Sequence, residues 1–190
     1  DIEIEKYLEP EYYWAGNKAR CLGNVLHRCM HDIAVEGLEK WTKEKVQNLK
    51  LRFKPALQGE GLPLDQALEA LEIGLTAISK VFEDDRGLWI LSSHEDAHSE
   101  YPLTFYVNNH CIRSVIDRTF IDEGVRWIID YKTGTHKGND KSIESFLENE
   151  EKRYRPQLDQ YESALRKYGE NLPIKKALYF PLLKVWREIN

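Results

Sequence analysis

The apolar positions change period once along the chain. From about Asn17, Leu22, Leu26, Cys29 and Ile33 recur at i, i+4, i+7 and i+11, the stripe of an amphipathic helix. The run "LEKWTKEKVQNLKLRF" predicts a second helix over Leu38 to Phe53, which Pro55 should end. After the loop "GEGLP", Leu68, Leu71, Leu75 and Ile78 mark a third helix from Leu64 to Phe82, closed by "DDRG". Ahead of all three, residues 1–16 are acidic and aromatic ("EPEYYWAG") and predict an extended lead-in.

The second half is written differently. "YPLTFYVNN", "CIRSVIDRTFI" and "VRWIIDYK" are rich in β-branched and aromatic residues and bounded by Asn, Asp and Gly, which predicts three strands. "TGTHKGNDKS" reads as a flexible loop. Helical spacing returns with Tyr154, Leu158, Tyr161, Leu165 and Tyr168, and Pro156 predicts a kink or a fresh helix start within it. "NLP" should end that helix, "IKKALYFP" supplies a fourth strand, and "LLKVWREI" is a candidate fifth. No internal repeat or low-complexity tract interrupts the order. The expectation is one α/β (mixed α+β) domain over 1–190. A mainly helical region, 1–85, precedes a sheet core over 98–190, in which helices flank a central mixed sheet.

Composition narrows this picture only a little. With 42% hydrophobic and 31% charged residues, the 190-residue chain can fill a core and keep a soluble surface. No run of 18 apolar residues is present, so no transmembrane helix or membrane partner is expected. A start at Asp1, with neither Met nor a signal-peptide pattern, suggests a piece of a longer polypeptide. Cys21, Cys29 and Cys111 are odd in number and form no CxxC pair, which argues against a disulfide framework and for a reducing, cytoplasmic setting. The net charge of −5 gives no long-range pull on nucleic acid. Any contact with DNA must come from local basic clusters, from a bound metal or from a partner.

The chemistry is concentrated in "VIDRTFIDEGVRWIIDYKTG", Val115 to Gly134. Asp117 and Asp130 stand inside apolar runs, where an ionised carboxylate is costly unless paired or bound to a cation. A two-residue turn at Glu123-Gly124 pairs Asp122 with Val125, and that register sets Asp117 opposite Asp130 on one face. A one-residue slip would put them on opposite faces. Adjacent carboxylates resist joint ionisation, and a divalent cation such as Mg²⁺, which takes one or two carboxylates plus phosphate oxygens, resolves the conflict. Lys132 shares the face of Asp130. It could orient the attacking water, help deprotonate it, or stabilise the charge that develops on a phosphodiester. Two solvent-facing acids and a surface lysine are the plain alternative.

These stretches resemble the motifs of the PD-(D/E)XK nuclease superfamily, in its RecB-like branch (exonuclease V beta subunit and AddA). "VIDR" and "WIIDYKTG" resemble its central motifs, "RCLGNVLHR" its G-x-x-x-H helix, "SEYPLTF" its acidic residue and proline on the first core strand, and "YRPQLDQY" its Q-L-x-x-Y helix. All occur in family order between Asn17 and Phe180. The resemblance implies a restriction-endonuclease-like core and a Mg²⁺-dependent DNA nuclease, with Mn²⁺ a possible substitute. It makes His27, Asp117, Asp130 and the Tyr131 backbone carbonyl the metal ligands. Lys132 becomes the catalytic lysine, acting with Asp117 and Asp130, and Gln157 and Tyr161 border the site. Glu100 is a candidate carboxylate just outside the ligands. Ile116 stands where the superfamily's eponymous proline would be, which is usual in this branch. The four cysteines of the iron–sulfur relatives are absent, so no cluster is expected.

From the residues themselves, Gly23 lies one turn before His27 and would let this helix approach the sheet closely. His31, one turn on, reads as a surface residue, and Tyr161 could be core alone. Lys137, Lys141, Arg153 and Arg155 could touch phosphates. "TGTHKGND" lacks the G-K-[ST] ending, so the chain should bind no ATP. The leading expectation is a deoxyribonuclease domain fused to or partnered with a helicase motor and acting on linear DNA, single- or double-stranded. A nuclease-fold docking module that does not cut, and a small-molecule metallohydrolase, are the alternatives.

Overall fold

The computed structural model describes residues 10–107, 110–134 and 142–189. Lys137, Lys141 and most of the loop that holds them lie outside the described residues, as do the first nine residues of the expected lead-in. The rest of that lead-in is not extended. Helix α1 runs from Pro10 to Glu36, with proline at its first position, where the missing N–H costs nothing. Its buried stripe is Cys21, Leu22, Val25, Leu26, Cys29, Met30 and Ile33.

The single helix expected over Leu38 to Phe53 is three pieces. A 3-10 turn (Leu38–Lys40) leads to α2 (Lys43–Gln47), whose N-cap Thr42 accepts from the Lys45 N–H. Helix α3 (Leu49–Gly59) continues through Pro55, whose ring is exposed to solvent. Helix α4 spans Leu64–Phe82, as its pattern predicts, but the buried face differs. Leu68 is exposed, and small residues, Ala67, Ala70, Gly74 and Ala77, line the core with Leu71, Ile78 and Val81. A Cβ on Gly74 would stand 2.8 Å from the Phe53 ring, so glycine is what lets α3 and α4 approach here. The expected closing turn "DDRG" instead opens α5 (Asp85–Leu91), with Asp84 as its N-cap.

Five strands follow, β1 (Glu95–Val107), β2 (His110–Asp122), β3 (Val125–Tyr131), β4 (Ile174–Phe180) and β5 (Val185–Ile189), arranged in that order. All neighbours are antiparallel except β3 and β4, which are parallel. Parallel neighbours require a crossover, and α6 (Ile143–Lys167) provides it, running unbroken through Pro156 and ending at Tyr168, before "NLP". The sheet thus separates two cores. On one side Phe120, Trp127, Ile129 and Tyr131 pack against α1 to α5. On the other, Leu103, Ile116, Ile128 and Leu178 pack against Leu158, Tyr161 and Leu165 of α6. This is the mixed α/β architecture expected from the sequence, a central mixed sheet flanked by helices after a mainly helical region.

Candidate metal centre

The centre lies where the β2–β3 hairpin opens, reached by both helical layers. Glu123 and Gly124 have φ of 49° and 74°, the pair of left-handed residues of a type I′ turn, and Asp122 pairs with Val125 as expected. The ladder runs through Arg118 and Ile129, one pair short of Asp117 and Asp130. There it opens, and the Tyr131 N–H donates to Asp117 Oδ2 at 2.7 Å. The side chain of Asp117 has replaced a strand hydrogen bond, which fixes its other oxygen.

That oxygen, Oδ1, lies 3.3 Å from His27 Nδ1 on α1. The opposite ring nitrogen, Nε2, lies 3.3 Å from the Tyr131 carbonyl oxygen. Both ring nitrogens therefore face acceptors. Burial alone would lower the His27 pKa, but the hydrogen bond with Asp117 and the charges of Asp117, Asp130 and Glu100 raise it overall. Gly23 is not needed to bring α1 this close. A Cβ there would meet only Thr133 Oγ1 at 3.9 Å, an ordinary contact. His31 is half-buried rather than on the surface, with its Nδ1 buried and without a hydrogen-bond partner among the described residues.

Asp130 is 3% exposed, and its carboxyl is pushed up to about 6, first by burial and then by the charge of Asp117. Its Oδ2 lies 2.5 Å from the Lys132 ammonium, whose charge and hydrogen bond oppose that rise without cancelling it. Asp117 thus meets the α1 layer, and the charges of both Asp117 and Asp130 act on His27 of α1 and on Tyr161 of α6. Lys132 reaches α6, where Nζ stands 3.6 Å from the centre of the Tyr154 ring.

Glu100 comes closer to the centre than its expected place just outside the ligands. In the β1–β2 register it stands between the pairs Ser99↔Arg118 and Tyr101↔Ile116, hence across from Asp117. Its φ of 52° lies in the left-handed region, uncommon for a non-glycine residue. The strand changes facing there. Ser99 Oγ accepts from Arg118, which also binds α5, while Tyr101 packs in the α6-side core. Residues two apart in a strand normally share a face. His27, Glu100 and Asp117 offer ligand atoms that all lie within 4.8 Å of one another, and Asp130 is not in that group. Burial, then the charge of Asp117, raises the pKa of Glu100.

Gln157 and Tyr161 stand on α6, with Gln157 Nε2 donating to Tyr161 Oη at 2.5 Å and Ser114 Oγ donating to the same oxygen at 3.3 Å. Tyr161 is 2% exposed and belongs to the core beside the centre. Arg153 lies 3.8 Å from Glu150 and 5.1 Å from the Tyr154 ring, and Arg155 pairs with Glu151.

These groups suit a divalent cation: a histidine nitrogen and two carboxylates with ligand atoms within 4.8 Å of one another, the Tyr131 carbonyl beside the histidine, and the buried Asp130 carboxylate, whose charge reaches the same histidine. A family model described as the PD-(D/E)XK nuclease superfamily matches residues 10–187. The chain belongs to this superfamily. No curated protein matches the chain significantly. As in PD-(D/E)XK nucleases generally, a divalent metal is expected to serve the reaction. Sequence reasoning missed Tyr154 as a neighbour of Lys132, because its place in the apolar stripe of α6 reads as packing. Its position one turn before Leu158 was the available signal.

Proposed function

We propose that this chain is a Mg²⁺-dependent deoxyribonuclease domain of the RecB-like branch, similar to exodeoxyribonuclease V. It would be the exonuclease part of a helicase-nuclease used in double-strand-break repair and recombination in the cytoplasm. The observation that carries this reading is the contact of His27 with Asp117 and the Tyr131 carbonyl at the open end of one hairpin, with the Asp130–Lys132 pair close enough for the charge of Asp130 to act on both His27 and Asp117. His27, Asp117, Asp130 and the Tyr131 carbonyl would hold the metal, with Glu100 within reach of it. When bound, the ion supplies charge for the attacked phosphate and acidifies a water.

The chain's own residues do the remainder. Asp117 is oriented by the Tyr131 N–H, so it needs little rearrangement to bind. Lys132 is held next to Asp130 and can turn its ammonium toward the phosphodiester as negative charge develops. Gln157 and Tyr161 brace the sheet side of the site through their mutual hydrogen bond. The acidic net charge suits a domain to which a motor delivers linear DNA, single- or double-stranded.

The test pairs calorimetry with cleavage. Mn²⁺ should bind the parent protein, and linear DNA should be cut with Mg²⁺ or Mn²⁺ but not in EDTA. Asp130→Ala should lose cleavage by at least about 100-fold, the scale for removal of a group that stabilises developing charge. Equal cleavage by parent and variant would overturn the assignment. Absence of Mn²⁺ binding would favour a docking module that does not cut.

A further inference from the structure

We propose that Tyr154 is the positioning residue for Lys132, its ring holding the ammonium in place beside the metal centre. This rests on the nuclease reading and adds a group from α6 to it. The Lys132 ammonium lies 3.6 Å from the centre of the Tyr154 ring, well inside the range of a cation–π contact. The lysine side chain is only 16% exposed, and the attraction strengthens as water is removed.

Two further observations make the ring necessary. Asp130 Oδ2 holds the ammonium through a single contact at 2.5 Å, which sets the distance but leaves the ammonium free to pivot about that oxygen. The backbone of Lys132 is anchored, since its N–H donates to the Tyr179 carbonyl at 2.8 Å, but the four-carbon stem beyond is flexible. A half-buried aromatic face on a 25-residue helix, packed against the α6-side core, is a rigid wall for that stem. A cation held by Asp130 would weaken the carboxylate's hold on the lysine. The ring then keeps the ammonium from swinging into solvent.

The contact depends on the ring and not on the hydroxyl, so the conservative variant separates the roles. Tyr154→Phe should cleave linear DNA with a kcat within about 2-fold of the parent, because Phe retains the cation-binding face. Tyr154→Leu should lose about 10-fold in kcat, with KM for DNA and calorimetric Mn²⁺ affinity unchanged, the pattern of an interaction that matters in the transition state. On a Lys132→Ala background, Tyr154→Leu should cost nothing more.

A readout independent of turnover accompanies these. In the metal-free protein, the Lys132 ε-methylene proton signals should be shifted upfield by the ring in the parent and in Tyr154→Phe, and relax to ordinary positions in Tyr154→Leu. If the parent shows this shift but cuts no DNA, the nuclease reading falls while the contact stands. Equal loss in the Phe and Leu variants would overturn the proposal. So would a Leu effect that persists without Lys132, or a parent spectrum without the shift.

Discussion

Arg118 follows Asp117 in the chain but serves the framework. It is 3% exposed and donates from Nε to the Ile90 carbonyl at 3.1 Å, from Nη1 to Ser99 Oγ at 3.0 Å and from Nη2 to the Ser92 carbonyl at 2.8 Å. One guanidinium thus ties β1 and β2 to the end of α5, directly beside Asp117 and on the strand that holds Glu100. No carboxylate pairs with it among these contacts, so neutral oxygens and the Phe120 ring, whose centre is 5.6 Å away, offset its desolvation. Arg118→Ala leaves those buried oxygens without a donor, each worth about 1–3 kcal/mol when orphaned. The variant should lose roughly 2–4 kcal/mol of stability, read from the urea midpoint, because the acceptors can relax only in part. Its Mn²⁺ affinity should fall as well, since β1 and β2 are no longer clamped on either side of Glu100 and Asp117. A midpoint within experimental error of the parent would show that the guanidinium is not structural.

The elements differ in how openly the sequence declares them. The β2–β3 hairpin was legible because "DEGV" admits a two-residue turn and its apolar runs align in only one register. Helix α4 was legible in extent but not in facing. Its large residue Leu68 looks outward, while the alanine and glycine positions, which carry little hydropathy signal, make the tight contacts. The break at Asn48 and the passage of α3 through Pro55 were illegible for a related reason, since tertiary packing overrides local propensity. The early start of β1 was hidden by the polar stretch "EDAHSE", which pairs along an edge strand with a bulge between Glu95 and His98. In the site, His27, Asp117, Asp130 and Lys132 could be named from motifs. The inward place of Glu100 and the contact with Tyr154 arise from a strand that changes facing and a helix that crosses it. Helix α5 gives the test at this scale. A Cβ on Gly87 would come within 2.5 Å of Tyr179 Oη and 2.8 Å of the Val81 carbonyl, and that hydroxyl already donates to the N-cap Asp84 at 2.7 Å. Gly87→Ala should therefore cost about 1–3 kcal/mol by overpacking. The urea midpoint should drop with the slope unchanged, and no drop would show that α5 shifts freely.

At the scale of the whole molecule, the centre makes the metal-free protein pay for its ligands, and pH should reveal how much. Asp130 titrates near 6 in the fold, because of burial and then Asp117, against 3.8 as its ordinary value. Between those values the folded state holds a proton that the unfolded state has lost, so stability falls as pH rises. A shift of about two units corresponds to roughly 3 kcal/mol. His27 acts in the same direction over a higher range. Burial opposes its charge, but Asp117 and the neighbouring acids prevail and raise its pKa above 6.5. Its contribution is complete below 6.5 and is lost as pH climbs through the folded value. Carboxylates held low by partners, such as Glu60 beside Asn24 and Arg28, are ionised in both states above about pH 5 and give no slope there. The melting temperature in EDTA should therefore decline steadily from pH 5.5 to pH 8. Mn²⁺ replaces the lost protons as the neutralising charge, so its stabilising effect should be largest at pH 8 and should shrink toward pH 5.5. Asp130→Asn should melt higher than the parent in EDTA at pH 8, while responding little to Mn²⁺. A parent protein whose metal-free melting temperature rises between pH 5.5 and pH 8 would mean that the acids of the hairpin are not held against each other.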